Sequence, residues 1–260
     1  MLARLSVVLV HPSHAGNVGA AARAMRVMGL RSLVLVAPRT PQAAAHPDAI
    51  AFASGATDVL QAARTCASLD EALADSHLAV AISAASREFG SAPLPPGEGC
   101  ERVIRALAND DRLRVALVFG NERTGLTIEQ LQRCAMVVSI PGEPDYHSLN
   151  LAQAVQVMAW EMRRAVTAGA SIAPMVAAEP DAGVPATHAQ REAFLEHLEQ
   201  ALVAVGFLDP ATPRKLMPRM RRLFARADLR AEEVDLLRGV CKQMLLAARG
   251  ELPGRRPPDP

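Results

Sequence analysis

HAGNVGAAARAMRVMGL, residues 14–30, follows the β-branched run SVVLV at 6–10 and opens a helical pattern that lasts to Gly29. A strand, a glycine-bearing turn and a helix in that order begin a β-α-β unit. The turn is not a dinucleotide loop. It lacks G-x-G-x-x-G, and the next strand, SLVLVA at 32–37, runs into Pro38 and Arg39 where a ribose-binding acid would stand. The stretch instead spells N-x-G-x-x-x-R through Asn17, Gly19 and Arg23, with Asn17 expected to cap the helix. A helix N-terminus with an arginine close by suits a phosphate or a developing oxyanion. Arg23 reads equally well as a solvated helix residue.

Working outward, HLAVAIS at 77–83, VALVFG at 115–120 and MVVSIP at 136–141 alternate with helical patterns at 16–29, 69–74, 100–108 and 127–134. Continuous apolar strands are buried on both faces, so the alternation predicts an α/β fold, a mainly parallel sheet with helices on both faces. Thr127 with Gln130 fits a capping box. Leu151, Val155, Met158 and Met162 recur at helical spacing and predict a long helix opening at Ser148, with Trp160 in the core. Residues 169–187 collect glycine, proline and alanine without a period and read as a linker. Beyond them the patterns are helical only: Phe194, Leu195, Leu198, Leu202 and Val205 on one face, Val234, Leu237, Val240, Cys241 and Leu245 on another. The expected division is an α/β domain at 1–168, the linker, a small all-α domain at 188–250 and a disordered tail at 251–260.

Half of the 260 residues are apolar and the charges nearly cancel at +1, so total charge neither demands nor excludes nucleic acid. Its distribution is uneven. PRKLMPRMRRLFARADLR, residues 213–230, sets seven basic residues against Asp228 alone. Pro218 is placed to start or kink a helix there, from which Arg219, Arg222 and Arg226 share one face. Such a stripe fits an RNA-backbone clamp, although charge clusters also form ordinary solvated faces. Cys66, Cys100, Cys134 and Cys241 lie far apart without a C-x-x-C pair, which points to reduced thiols rather than a zinc knuckle or a disulfide framework. The opening MLARLSVVLVHPSH has too short an apolar run for a secretory leader. Nowhere do the roughly 20 apolar residues of a bilayer span occur. A soluble cytoplasmic protein with no membrane and no metal partner is the expectation.

Two further strings carry chemistry. In FGNERTGL, 119–126, Gly120 and Gly125 permit close backbone approach to a ligand, and Asn121 and Glu122 stand at a strand's carboxyl end, where open α/β sheets bind ligands. In IPGEPDYHSLNLAQAV, 140–155, Pro141, Gly142 and Pro144 make an irregular loop that turns into helix at Ser148 and Asn150. An N-cap role for Ser148 does not exclude a catalytic one.

Taken in order, N-x-G-x-x-x-R, F-G-x-E-x-x-G-L and I-P followed by S-L-N resemble the three motifs of the SpoU/TrmH family of SPOUT methyltransferases, and all three are intact. VHPSHAGNVGAAARAMRVMGL, VALVFGNERTGLT, PDYHSLNLAQAVQV and RRLFARA are similar to the family's tRNA 2′-O-methyltransferases of the anticodon loop, a likeness covering nearly the whole chain.

The resemblance implies a C-terminal trefoil knot in the α/β domain, an exception to the rule against knotting that no periodicity reveals. It implies S-adenosylmethionine as cofactor, held by backbone groups near Ile82, Ser83 and Ala84, at Gly120, at Ile140, and at Ser148, Leu149 and Asn150. The implied reaction is methylation of a ribose 2′-hydroxyl in tRNA, at nucleotide 32 of the anticodon loop on cytidine or uridine. Ribosomal RNA or another tRNA position is the alternative within the family. Arg23 and Ser148 are the implied catalytic residues. A guanidinium is a poor base, so steadying an incipient alkoxide and gripping a phosphate is the sounder role for Arg23, while Ser148 passes or orients the proton. Asn17, Arg87, Tyr146, Arg219, Arg222 and Arg226 would meet the RNA, Glu122 and Asn150 would tie the motif loops together, and the working form would be a homodimer. His11 and His14 stay polar loop residues outside the catalytic set. A catalytically silent RNA-binding protein of the same fold is the rival from another class; the presence of Arg23, Glu122 and Ser148 together weighs against it.

Overall fold

The structure is a computed structural model that describes residues 1–83, 93–143, 145, 148–169 and 183–251. The chain falls into two compact units, Met1–Ala182 and Gly183–Pro260.

In the first unit the order is β1 (Leu5–Val10), α1 (Ala15–Met28), β2 (Ser32–Val36), α2 (Pro47–Ala53), α3 (Thr57–Gln61), β3 (Arg64–Cys66), α4 (Leu69–Leu73), β4 (Leu78–Ile82), α5 (Pro96–Asn109), β5 (Val115–Phe119), α6 (Ile128–Gln132), β6 (Met136–Val138) and α7 (Leu151–Gly169). One six-stranded sheet forms in the order β3-β2-β1-β5-β4-β6, and every neighbouring pair is parallel. Successive residues of β1 serve opposite faces. Leu5, Val7 and Leu9 pack with α1, α5 and α7 in one core, while Val8 and Val10 pack with α4 in the other. That double burial is why the strand runs carry no polar alternation.

Short elements set the close packing. A Cβ at Gly19 would collide with the carbonyl of Ala49, so this motif glycine lets α1 and α2 touch backbone to backbone. The expected cap of α1 is corrected: His14 is the N-cap residue, and Asn17 sits inside the first turn with its side chain turned to another loop. The capping box of Thr127 and Gln130 is formed as read. Trp160, expected in the core, is 54% exposed on α7.

β6 is paired on both sides. Ser83 N donates to Val138 O at 3.0 Å, and Leu94 N donates to Val137 O at 2.9 Å. Successive carbonyls of an extended strand point to opposite sides. The chain that leaves the sheet at Ser83 therefore returns at Leu94 on the far side of a strand that comes later in sequence.

The second unit holds α8 (His188–Ala204), α9 (Leu216–Ala225) and α10 (Ala231–Ala248). Residues 184–186 lie beside 229–231, joined by Ala186 N to Leu229 O at 2.9 Å and Ala231 N to Val184 O at 2.8 Å. Phe194, Leu195, Ala201, Val234 and Cys241 form its core, and Phe194 meets Phe224 edge to face with centroids 4.8 Å apart. Val205 and Val240, read as core, are exposed. Pro218 stands in the first turn of α9, where its missing N–H costs nothing. Arg219, Arg222 and Arg226 are exposed, and their guanidinium groups make no hydrogen bond or ion pair among the described residues. Arg221 does not belong with them, because it is paired with Glu192. Among the described residues no helix is long and apolar enough to cross a membrane.

Candidate active site

All six strands run the same way, so their carboxyl ends lie along one edge of the sheet. A cavity of about 300 Å³ opens there. Its walls are Ile82 and Ser83 at the end of β4, Phe119 and Gly120 at the end of β5, Ile140 after β6, and Ser148, Leu149, Leu151 and Ala154 where the chain enters α7. Glycine at 120 is a steric requirement: a Cβ would collide with the backbone of Gly125 and Leu126, because Gly125 N donates back to Asn121 O at 2.8 Å and folds the loop on itself.

Glu122 holds the surrounding loops together. Its carboxylate accepts from Ser13 N at 2.9 Å, His14 N at 3.3 Å and Asn17 Nδ2 at 3.0 Å. Burial opposes ionisation here, yet the donors from Asn17 and the backbone outweigh it and hold the Glu122 carboxyl below its ordinary range. Asn17 Oδ1 in turn accepts from Asn150 Nδ2 at 3.0 Å, and Asn150 Oδ1 accepts from Ala152 N at 2.9 Å. Asn150, rather than Ser148, therefore satisfies the first turn of α7. That leaves the Ser148 hydroxyl for the cavity it lines. Asn121, buried beneath, donates to His11 O and Ser13 Oγ, each at 2.7 Å. The three motif strings, far apart in sequence, meet through Asn17, Glu122 and Asn150.

Ile82, Ser83, Gly120, Ile140, Ser148 and Leu149, which the family resemblance assigns to the cofactor, line this cavity. Asn17 and Asn150 line instead a second cavity of about 490 Å³ behind the Glu122 linkage, together with Ser13, His14, Thr40, His46, Asp48 and Phe52. Arg23 lines neither. It is exposed, and its guanidinium has no hydrogen bond or ion pair among the described residues. Ala84, Arg87 and Tyr146 lie outside the described residues. Sequence reading missed Arg123 and Thr124 as cavity residues although both stand inside the second motif string; it had no signal for Thr40, His46 or Phe52, which come from a stretch without motif or period. Burial pushes the Cys100 thiol up to about 12, which removes it as a nucleophile near neutrality.

A parallel sheet whose carboxyl edge carries a cavity lined by the second and third of these strings, with the first tied to them through Asn17, defines an α/β RNA methyltransferase of the SPOUT kind. Residues 4–160 match the family described as SpoU rRNA Methylase, and residues 189–253 match the C-terminal domain of the tRNA methyltransferase TrmJ. The chain is 44% identical to the tRNA (cytidine/uridine/adenosine-2′-O-)-methyltransferase TrmJ of Pseudomonas aeruginosa, across 96% of this chain and 97% of that one. It is likewise 44% identical to the tRNA (cytidine/uridine-2′-O-)-methyltransferase TrmJ of Klebsiella pneumoniae, across 92% and 96%. The crystal structure of TrmJ from Z. mobilis ZM4 is similar with a TM-score of 0.77 at 30% identity, covering 92% of this chain and 98% of that one. The chain belongs to the SpoU methylase family.

Proposed function

We propose that the protein uses S-adenosylmethionine to methylate a ribose 2′-hydroxyl in tRNA, at nucleotide 32 of the anticodon loop, as a cytoplasmic homodimer. The observation that carries this is the Asn17–Glu122–Asn150 linkage, which joins the three motif loops beside a sheet-edge cavity that the second and third of them line. The naming of the full-length relatives as tRNA 2′-O-methyltransferases supports the choice of tRNA over ribosomal RNA.

The cavity fits the cofactor. Its size is that of a small-molecule site, and Gly120 lets the second motif loop fold tightly beside it, since a Cβ there would collide with the backbone of Gly125 and Leu126. Ile82, Ser83, Gly120, Ile140 and Leu149 would hold S-adenosylmethionine, which supplies an activated methyl group when bound. The chain's own residues then have to orient a ribose oxygen, take up its proton and exclude water. Ser148, freed from capping, is the residue placed to orient or relay the proton.

Arg23 needs a second chain. Gly16, Arg23 and Val27 fall on one stripe of α1 by helical spacing, and Val27 is 69% exposed. A partner copy seated on that stripe would bring its own loops to Arg23 and complete the site, with the guanidinium steadying charge on the acceptor oxygen. The pairing of β6 between Ser83 and Leu94 supports the family's knotted threading as part of the same reading. Arg87 and Tyr146 are assigned to the RNA side, as are Arg219, Arg222 and Arg226 of α9.

Mass spectrometry of tRNA from a deletion strain tests this. One ribose methyl at nucleotide 32 should be missing and should return with the gene. An unchanged anticodon loop, or a loss confined to ribosomal RNA, would overturn the assignment.

A further inference from the structure

The second cavity is unassigned by anything above. It is bounded by Ser13 and Asn17 on one side and by Thr40, His46, Asp48 and Phe52 on the other. Phe52 is 60% exposed, an expensive way to leave a ring on a soluble surface. One side of the ring rests on α1 at Gly16, where an added Cβ would stand 3.4 Å from it. The rest is open.

The polar groups around the ring are specific in kind. His46 Nδ1 is engaged with Asp48, 3.2 Å from its N and 3.6 Å from its carboxylate, which leaves Nε2 as the ring nitrogen to meet a ligand. Thr40 Oγ1 donates to Ser13 O at 3.2 Å, which leaves its lone pairs as acceptors. No arginine or lysine lines the cavity, and Asp48 does. A phosphate would meet a carboxylate and no fixed cation. A neutral planar group with donors and acceptors on its edge meets a ring and both kinds of partner.

Position narrows the choice further. Asn150 lines this cavity, while Ser148 and Leu149, the two residues before it, line the other. In a nucleotide the base is borne on the carbon next to the one that carries the 2′-hydroxyl. An acceptor ribose beside Ser148 would have the second cavity, reached across Asn150, as a neighbouring place for its base.

We infer that this cavity receives the unstacked base of the nucleotide that is methylated, with Phe52 as the stacking platform and His46 and Thr40 reading its edge. The inference rests on the proposed tRNA methyltransferase activity and adds to it the site that grips the target base.

The test compares Phe52→Ala and Phe52→Trp with the wild-type protein on intact tRNA and on a transcript whose methylated nucleotide lacks its base. Phe52→Ala should lower kcat/KM on intact tRNA by about ten- to a hundredfold, the range that base–aromatic stacking covers. Phe52→Trp should stay within about threefold, and S-adenosylmethionine binding by calorimetry should be unchanged in both. On the baseless transcript the wild-type protein should lose a similar factor, and Phe52→Ala should lose nothing more. Equal activity of Phe52→Ala and wild type, or losses that multiply on the baseless transcript, would overturn the pocket while leaving the methylation intact. A shift in sedimentation with Phe52→Ala would assign the ring to a contact between copies and overturn it as well. A wild-type protein that leaves tRNA unmethylated would remove the activity itself, and the pocket's assignment with it.

Discussion

Glu122 in the loop after β5 and Asn17 in the first turn of α1 lie 105 residues apart in sequence and meet at 3.0 Å. The contact fixes more than a distance. A carboxylate can only accept, so Asn17 must turn its amide nitrogen to Glu122 and its oxygen to Asn150. One side-chain orientation thereby joins the first, second and third motif strings.

Removing the carboxylate should undo that join. Glu122→Ala strands two backbone N–H groups and the Asn17 amide, and hydrogen bonds to a charged acceptor are the stronger kind. A loss of about 2–3 kcal/mol is expected for the first unit in urea denaturation, with a parallel loss of cofactor binding. Full cofactor affinity in a destabilised Glu122→Ala would show that the linkage holds the fold but does not shape the cavity.

The same carboxylate sets an acid limb. Its pKa is lowered in the folded protein from an ordinary value of about 4.5, so the unfolded chain binds the proton more readily. Glu122 therefore contributes stability that is complete above that ordinary value and is lost as pH falls through the lowered one. Denaturation midpoints measured between neutrality and strong acid should decline at the acid end, and Glu122→Gln should flatten the decline. Parallel curves for the two proteins would place the acid sensitivity elsewhere.

Much of the fold can be read from the chain because the central strands are buried on both faces and announce themselves as apolar runs. β3, only Arg64–Cys66, sits at the sheet's edge with two of its three residues exposed and so shows no such run. α2 and α3 are too short for a helical period, and α2 relies on packing against Gly19 of α1, a contact absent from any local pattern. Trp160 was placed in the core on size and period alone. It is exposed instead, on the helix that packs against α1. The site divides similarly. Most residues that line the first cavity stand in the second and third motif strings or at the end of β4, where the resemblance directs attention, although Arg123 and Thr124 went unnamed there. Thr40, His46 and Phe52 reach the second cavity only through the fold, so no spacing could have flagged them.

Arg23 separates chemistry from architecture. It is exposed and its guanidinium is unpartnered among the described residues, so Arg23→Ala should leave stability and cofactor affinity close to wild type. If it steadies charge on the acceptor oxygen, turnover should fall by about a hundred- to a thousandfold, the range seen when one oxyanion donor is removed. Calorimetry and single-turnover methylation on one preparation separate the two effects. Retained turnover would strip Arg23 of its catalytic role, and joint loss of turnover and cofactor binding would make it a structural residue.

The second unit invites a measurement that does not depend on chemistry at all. Arg219, Arg222 and Arg226 project from α9 and its C-terminal cap with no acid answering them among the described residues, whereas Arg221 is neutralised by Glu192. If each of the three contacts one phosphate, each releases counterions on binding, and affinity falls with salt in proportion to their number. Replacing all three by glutamine should lower the slope of log K against log salt by about 2 to 3 and weaken binding most at low salt. The fold should survive, since none of the three is buried. Arg221→Gln is the contrasting case: it should destabilise the helical unit by breaking the ion pair with Glu192, with little effect on the slope. A triple variant whose slope matches the wild type would mean that RNA does not lie across this helix.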